Sequence, residues 1–254
     1  MQASKNILST WRKFDRFPME TLTKAWFYQQ AGNRKQREVS LMKEHYRQFG
    51  ISGNCFDLAI WLLDEFSKEG IEAYPIGHHF KTEDAHAAVI ALDERGRRFL
   101  CDLGDQWLQP ILVDIESEDY TNEKLSGFFP AAQVQITPVH SHIEVVYHRP
   151  NGKTSKQGYN PEPVEMKLFL EAAEYSQRTF NREPLLECRV PYQDETAHWE
   201  FCDWSSWLST SRGIVNEPAP DTIEGWVENI HHMAGYDKHV LREALEIYKF
   251  NLFT

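Results

Sequence analysis

The sequence predicts an α+β protein, with helices at both ends and an antiparallel sheet between them. Three observations carry that prediction. Phe56, Ala59, Ile60, Leu62, Leu63 and Phe66 recur at helical spacing within residues 54–68. From Ile71 the period changes to two and stays so, with turn residues between the runs, as far as Tyr159. Helical spacing then returns after Val164 and again at the end of the chain.

Residues 1–48 read as helical. Leu22, Ala25, Trp26 and Tyr28 give a partial apolar face, and charged residues fill the stretch from Arg34 to Arg47. Phe49-Gly50-Ile51-Ser52-Gly53 breaks the pattern, because its glycines permit a tight turn. The next helix covers residues 54–68, with Ser52 or Asn54 as N-cap and Gly70 closing it. Either cap leaves Cys55 in the first turn. Free backbone N–H groups and the helix dipole favour a thiolate there. A free cysteine is also often no more than a small buried residue.

Three strands follow, at residues 71–77, 86–92 and 97–103. Between the last two lies Asp93-Glu94-Arg95-Gly96. A three-residue loop, Glu94-Arg95-Gly96, puts glycine where a left-handed residue forms a bulge. That register pairs Asp93 with Arg97 and Ala88 with Asp102. His86 and Asp102 then share a sheet face as diagonal neighbours, about 7–8 Å apart at the backbone. A four-residue loop would put them on opposite faces.

Residues 133–137, 142–148 and 153–159 continue as β structure, with Arg149-Pro150-Asn151-Gly152 as a strong turn. These strands are expected to close a small barrel or a highly curved sheet. A helix at 164–180, strands at 185–192 and 198–204, a Pro-rich loop at 216–221 and helices at 222–234 and 238–250 complete the chain. Val240, Leu241, Ala244, Leu245 and Ile247 set the last helix on the core. The expected organisation is a helical bundle carrying the cysteine helix (1–70), a β-barrel (71–160) and an α/β lid with the C-terminal helices (161–254).

Composition narrows the function. The 254 residues are 41% hydrophobic and 26% charged, in the globular range. A formal net charge of −11 without a basic block argues against nucleic acid as a general partner. No apolar run is long enough for a membrane span, and the polar, basic Met1–Asp15 stretch does not read as a secretory signal. Cys55, Cys101, Cys188 and Cys202 lack metal-ligand spacing and read as reduced thiols, so a cytoplasmic protein is expected. Nothing indicates the oligomeric state.

Cys55, His86 and Asp102 form the one nucleophile–base–acid set with suitable order and context. A thiol needs a neighbouring base to attack a carbonyl at neutral pH. A histidine can take the thiol proton and return it to a leaving group. An aspartate on the other ring nitrogen fixes the tautomer. Backbone N–H groups near Cys55 and Phe56 could stabilise an oxyanion.

Those residues also carry a resemblance. Gly53-x-Cys55-Phe56-Asp57, Gly70-Ile71, His86-Ala87-Ala88-Val89, Leu100-Cys101-Asp102-Leu103-Gly104 and the following Asp105-Gln106-Trp107-Leu108-Gln109-Pro110-Ile111 resemble the arylamine N-acetyltransferase pattern over residues 50–112. The resemblance implies a cysteine-proteinase-like fold of helical bundle, β-barrel and α/β lid. It implies a ping-pong transfer in which Cys55 takes an acetyl group from acetyl-CoA and passes it to an arylamine or arylhydroxylamine. Two segments differ from the family. Its Arg-Gly-Gly before the cysteine is reduced to Gly53, and its Gly-Phe-Gly after the aspartate to Gly104. Transglutaminase-like cysteine hydrolases and amide transferases share the same skeleton, and a non-catalytic protein of this fold would keep it too.

No residues for the CoA pyrophosphate can be named, since no Gly-rich phosphate loop is present. No metal is expected. In His78-His79, His140 with His142, and His231-His232, no Glu or Cys completes a ligand set. Trp199, Trp204 and Trp207, beside Phe201, either pack core and lid or form an aromatic wall for a flat substrate.

Overall fold

A computed structural model of the chain describes residues 1–30, 35–140, 142–180 and 183–250. The N-terminal part contains α1 (Lys5–Trp11), a short β1 (Met19–Glu20), α2 (Leu22–Gln29), α3 (Val39–Phe49) and α4 (Cys55–Lys68). The region read as helical is thus interrupted by β1, and its residues 31–34 lie outside the described ones. Gly50, at φ 76°, ends α3 in the left-handed conformation a helix C-terminus favours. Helix α4 buries Phe56, Ala59, Leu62 and Phe66, as its spacing predicts, while Ile60 and Leu63 are half-buried and Leu58 and Trp61 are buried as well. Each buried Phe or Leu side chain contributes about 1.5–3 kcal/mol when removed from water.

The first sheet has the order β2 (Ala73–His78), β3 (His86–Leu92), β4 (Arg98–Cys101), β5 (Ile111–Leu112), and the second β6 (Leu125–Phe129), β7 (Ala132–Val139), β8 (His142–His148), β9 (Thr154–Tyr159). Both are antiparallel. The barrel-like middle is therefore two four-stranded sheets, with no strand of one paired to a strand of the other among the described residues. Their inner faces share one core with α1, α4 and α5 (Met166–Arg178).

The C-terminal part adds β10 (Leu185–Tyr192), β11 (Glu195–Cys202), β12 (Ser205–Thr210), β13 (Gly213–Asn216), α6 (Ile223–Ala234) and α7 (Lys238–Lys249). The third sheet runs β1-β10-β11-β12-β13, so β1 joins a strand far along the chain. Strand β11 ends two residues before the predicted limit, because Asp203 and Trp204 turn the chain with φ of 43° and 61°. A second core fills the space between this sheet and α2, α6 and α7. Trp199 and Phe201 are fully buried in it, and Trp204 and Trp226 pack on Phe201. Core packing thus accounts for Trp199 and Trp204. Trp207 instead faces a cavity on the other side of the sheet. Among the described residues, no helix is long and apolar enough to cross a membrane.

Candidate active site

The site begins with how α4 is started. Asn54 is its N-cap, accepting from the N–H groups of Phe56 at 3.0 Å and Asp57 at 3.1 Å. Asp57 returns the bond by accepting from the Asn54 N–H at 3.1 Å, which completes a capping box. The Asp57 carboxylate also meets Arg37 at 2.9 Å and accepts from Gln36 and Gln177. Arg37 reaches on to the Ser52 carbonyl at 2.9 Å. Gly53 has φ 131°, and a Cβ there would lie 2.3 Å from both Arg37 and Asp57. Only glycine fits both that backbone and that crowding. Cys55 is left as the first helical residue, on a tip held from three directions.

The β3–β4 hairpin has the three-residue loop Glu94-Arg95-Gly96. The Asp93 N–H donates to the Arg97 carbonyl at 3.0 Å, and Gly96 has φ 73°. Leu92 pairs with Arg98 and Val89 with Cys101. Continued by one step, this register sets Ala88 against Asp102. His86 and Asp102 share a face, and His86 Nε2 lies 2.7 Å from Asp102 Oδ2. Asp102 is fully buried and also accepts from the Tyr159 hydroxyl at 2.8 Å and the Asp105 N–H at 3.0 Å. Its carboxyl is held below the usual range. Burial alone would raise it, and the facing His86 outweighs burial. His86 is held well above its ordinary value. Burial works against its charge, and Asp102 and Asp105 more than reverse that.

Cys55 and His86 line the same cavity and both lie against Gly104, and the Cys55 thiol is 4.0 Å from the Ala85 carbonyl. With Nε2 taken by Asp102, Nδ1 is the nitrogen left for the thiol. Gly104 sits in the middle of the three. A Cβ there would be 2.8 Å from Cys55 Cβ, 3.1 Å from His86 Cε1 and 3.2 Å from Asp102 Oδ1. The predicted oxyanion donors are reduced to one. The Phe56 N–H is used by the Asn54 cap, which leaves the Cys55 N–H.

Sequence reasoning missed Asp105, Tyr147 and Tyr159. Asp105 Oδ1 is 3.9 Å from His86 Nε2, and Oδ2 accepts from the Tyr147 and Tyr159 hydroxyls at 3.1 and 3.3 Å. Burial, then the charge of Asp102, push the Asp105 carboxyl up to about 6. The available signal was a second acid three residues after Asp102, within one turn. Among the described residues, His86, Asp102 and Asp105 are the one group of three possible metal ligands within 4.8 Å of one another. The paired histidines noted in the sequence form no such group. The His231 Nδ1–H donates to the Tyr236 carbonyl, just past the end of its own helix, at 2.7 Å.

Cys55, His86 and Asp105 open on a cavity of about 170 Å³. Asp105 and Glu187 line it and also line a larger cavity of about 440 Å³ between the second and third sheets.

Solved structures similar to this chain include arylamine N-acetyltransferases from several bacteria. The Mycobacterium marinum enzyme matches with a TM-score of 0.74 at 9% identity, over 100% of this chain and 96% of that one. The same enzyme in complex with CoA matches at 0.71 and 7% identity, over 96% and 94%. A Bacillus cereus arylamine N-acetyltransferase, described as having a unique Cys-His-Glu catalytic triad, matches at 0.62 and 14% identity, over 92% of each chain. No protein-family model and no curated protein sequence matches the chain. The chain has the arylamine N-acetyltransferase fold, at a sequence distance that leaves its chemistry to its own residues.

Proposed function

We propose that this chain is a cysteine acyltransferase in which Cys55 carries an acetyl group from acetyl-CoA to a small amine or hydroxylamine. The observation that carries this reading is that Cys55 and His86 line one cavity and both lie against Gly104, with His86 Nε2 at 2.7 Å from a buried Asp102. The fold shared with arylamine N-acetyltransferases, one of them bound to CoA, supports the donor and the class of acceptor.

In the first half-reaction His86 takes the thiol proton at Nδ1, and the sulfur attacks the acyl carbonyl. The Cys55 N–H faces the developing oxyanion. Asp102 holds the ring orientation and stabilises the imidazolium. Coenzyme A leaves as a thiol, taking the proton from His86. In the second half-reaction an amine attacks the thioester and His86 again takes a proton. A further cavity of about 730 Å³ adjoins the larger one through Phe129, Ala131, Arg149 and Pro150. Lys124, Arg149 and Lys153 line it, and they suit the phosphates of the donor.

Intact-protein mass after brief exposure to acetyl-CoA tests the reading. An acetyl adduct is expected on the native protein and not on Cys55→Ser. No adduct on the native protein would remove acetyl-CoA as donor and turn attention to amide substrates.

A further inference from the structure

The space beyond Cys55 is acidic in a way that packing does not require. Glu187 on β10 and Glu200 on β11 are directly opposed across the strand pair. Opposed like charges weaken a sheet, and here both point into the larger cavity rather than into solvent alone. Asp105 enters the same space from the catalytic side. Glu83 lines the smaller cavity with it.

The cations nearby do not balance them. His198 Nε2 lies 3.2 Å from Glu187, and Arg149 lines the far wall. Lys156 is tied to Glu144 at 2.8 Å. Lys24 lines the smaller cavity and donates to the carbonyls of Ser176 and Thr179, both at 2.7 Å, and burial lowers its pKa. The imbalance is visible in the acids. Burial and the charge of Glu187 push Glu200 up to about 7, against the pull of His198 and Arg149, while Asp105 stands at about 6. The cavity thus holds acids that gain from positive charge, taken up as a proton or as a bound cation.

We propose, building on the acyltransferase reading, that the acceptor is a cationic alkyl amine of the diamine class, anchored by Glu187 and Glu200 and deprotonated by Asp105. A neutral arylamine needs no such acids, which would only cost desolvation beside it. An alkyl ammonium needs both an anchor and a base before it can attack. The reacting ammonium gives one proton to the Asp105 carboxylate and becomes a free amine. Its lone pair forms the N–C bond to the acetyl carbonyl of the Cys55 thioester. The C–S bond breaks, sulfur leaves as thiolate, and the second nitrogen proton passes to His86. The products are the N-acetyl amine, protonated Asp105 and a thiolate–imidazolium pair. In a ping-pong sequence the donor has left before the acceptor enters, so one cavity serves both.

Calorimetric titration of the native protein with 1,5-diaminopentane and with 4-methoxyaniline, at pH 8 and low salt without any acyl donor, tests the anchor. The diamine is expected to bind at least tenfold more tightly. Glu187→Gln with Glu200→Gln should weaken it at least tenfold, and Glu200→Gln alone serves if the double variant does not fold. Equal affinities for the two amines, or an unchanged diamine affinity in the variants, would overturn the proposal. Discharge of pre-formed acetyl-Cys55, followed by mass, tests the acceptor role, with the diamine expected to be at least tenfold faster. Faster discharge by 4-methoxyaniline would overturn it. Failure to form the adduct at all counts against the acyltransferase reading and is seen separately, because the titration uses no donor.

Discussion

Cys55 stands between two buried polar clusters that handle charge in opposite ways. Behind it, Arg37 is paired with Asp57, and Asp57 takes further bonds from Gln36, Gln177 and the Asn54 N–H. Its acid and its base are both about 95% buried or more, and each faces a partner. In front of it, Asp105, Glu187 and Glu200 gather around a cavity where Lys156 is already paired with Glu144, which leaves His198 and Arg149 to face the three acids. The first arrangement fixes a helix tip. The second keeps unbalanced charge beside a cavity, which is where a ligand changes the balance.

The largest effects should come from the residues between the clusters. Cys55→Ser and His86→Ala are expected to lower acetyl transfer by at least about 10³-fold, with circular dichroism unchanged. Full turnover in Cys55→Ser would remove the centre of the comparison. Next, Arg37→Ala should cost about 3–5 kcal/mol in urea unfolding, because it strands the buried Asp57 carboxylate. A loss under about 1 kcal/mol, typical of exposed pairs, would show that the rear cluster does not hold the tip. Gly104→Ala should slow transfer by about 10²-fold, through displacement of Cys55 and His86 rather than loss of either. Wild-type rates there would mean that the three side chains tolerate a wedge.

The smallest effect sharpens the front cluster. Asp105 has a folded-state value raised from 3.8 to about 6, so between those limits the folded chain binds more protons than the unfolded one. Stability contributed by protonated Asp105 is therefore present below 3.8 and lost as pH rises through about 6. Asp105→Asn should gain stability relative to the native chain over that window, by about 1–3 kcal/mol once the pH is above it. A pH-independent difference would show that the acid is already balanced.

Legibility in the sequence followed locality. Helix α4 could be read because its cap, its apolar period and its closing glycine lie within one stretch. The hairpin could be read because Gly96 fixes the loop, and the loop fixes the register that puts His86 and Asp102 on one face. Strands β12 and β13 could not, since Ser205, Ser206, Ser209 and Thr210 dilute one and the other has only four residues. Strand β1 has two residues and owes its existence to a partner near position 187. Arg37 and Gln177 give no local sign of meeting Asp57. Glu187 and Glu200 look like ordinary solvent-facing acids of alternating strands until the second sheet covers them.

The segment before Cys55 is fastened by the far end of the chain. The Ser52 N–H donates to the Tyr236 hydroxyl, 184 residues away in sequence, and Glu20 lies against Leu186 in the third sheet. During synthesis at about 5–20 residues per second, roughly 10–40 s pass between the emergence of Ser52 and that of Tyr236. Through that interval the thiol exists but its mounting does not. The proposed reactive centre is thus timed by translation, since its mounting includes a residue 184 positions further along the chain. Thiol labelling of ribosome-bound chains stalled before and after Tyr236 should show the change in reactivity, and equal labelling would mean that the centre assembles early.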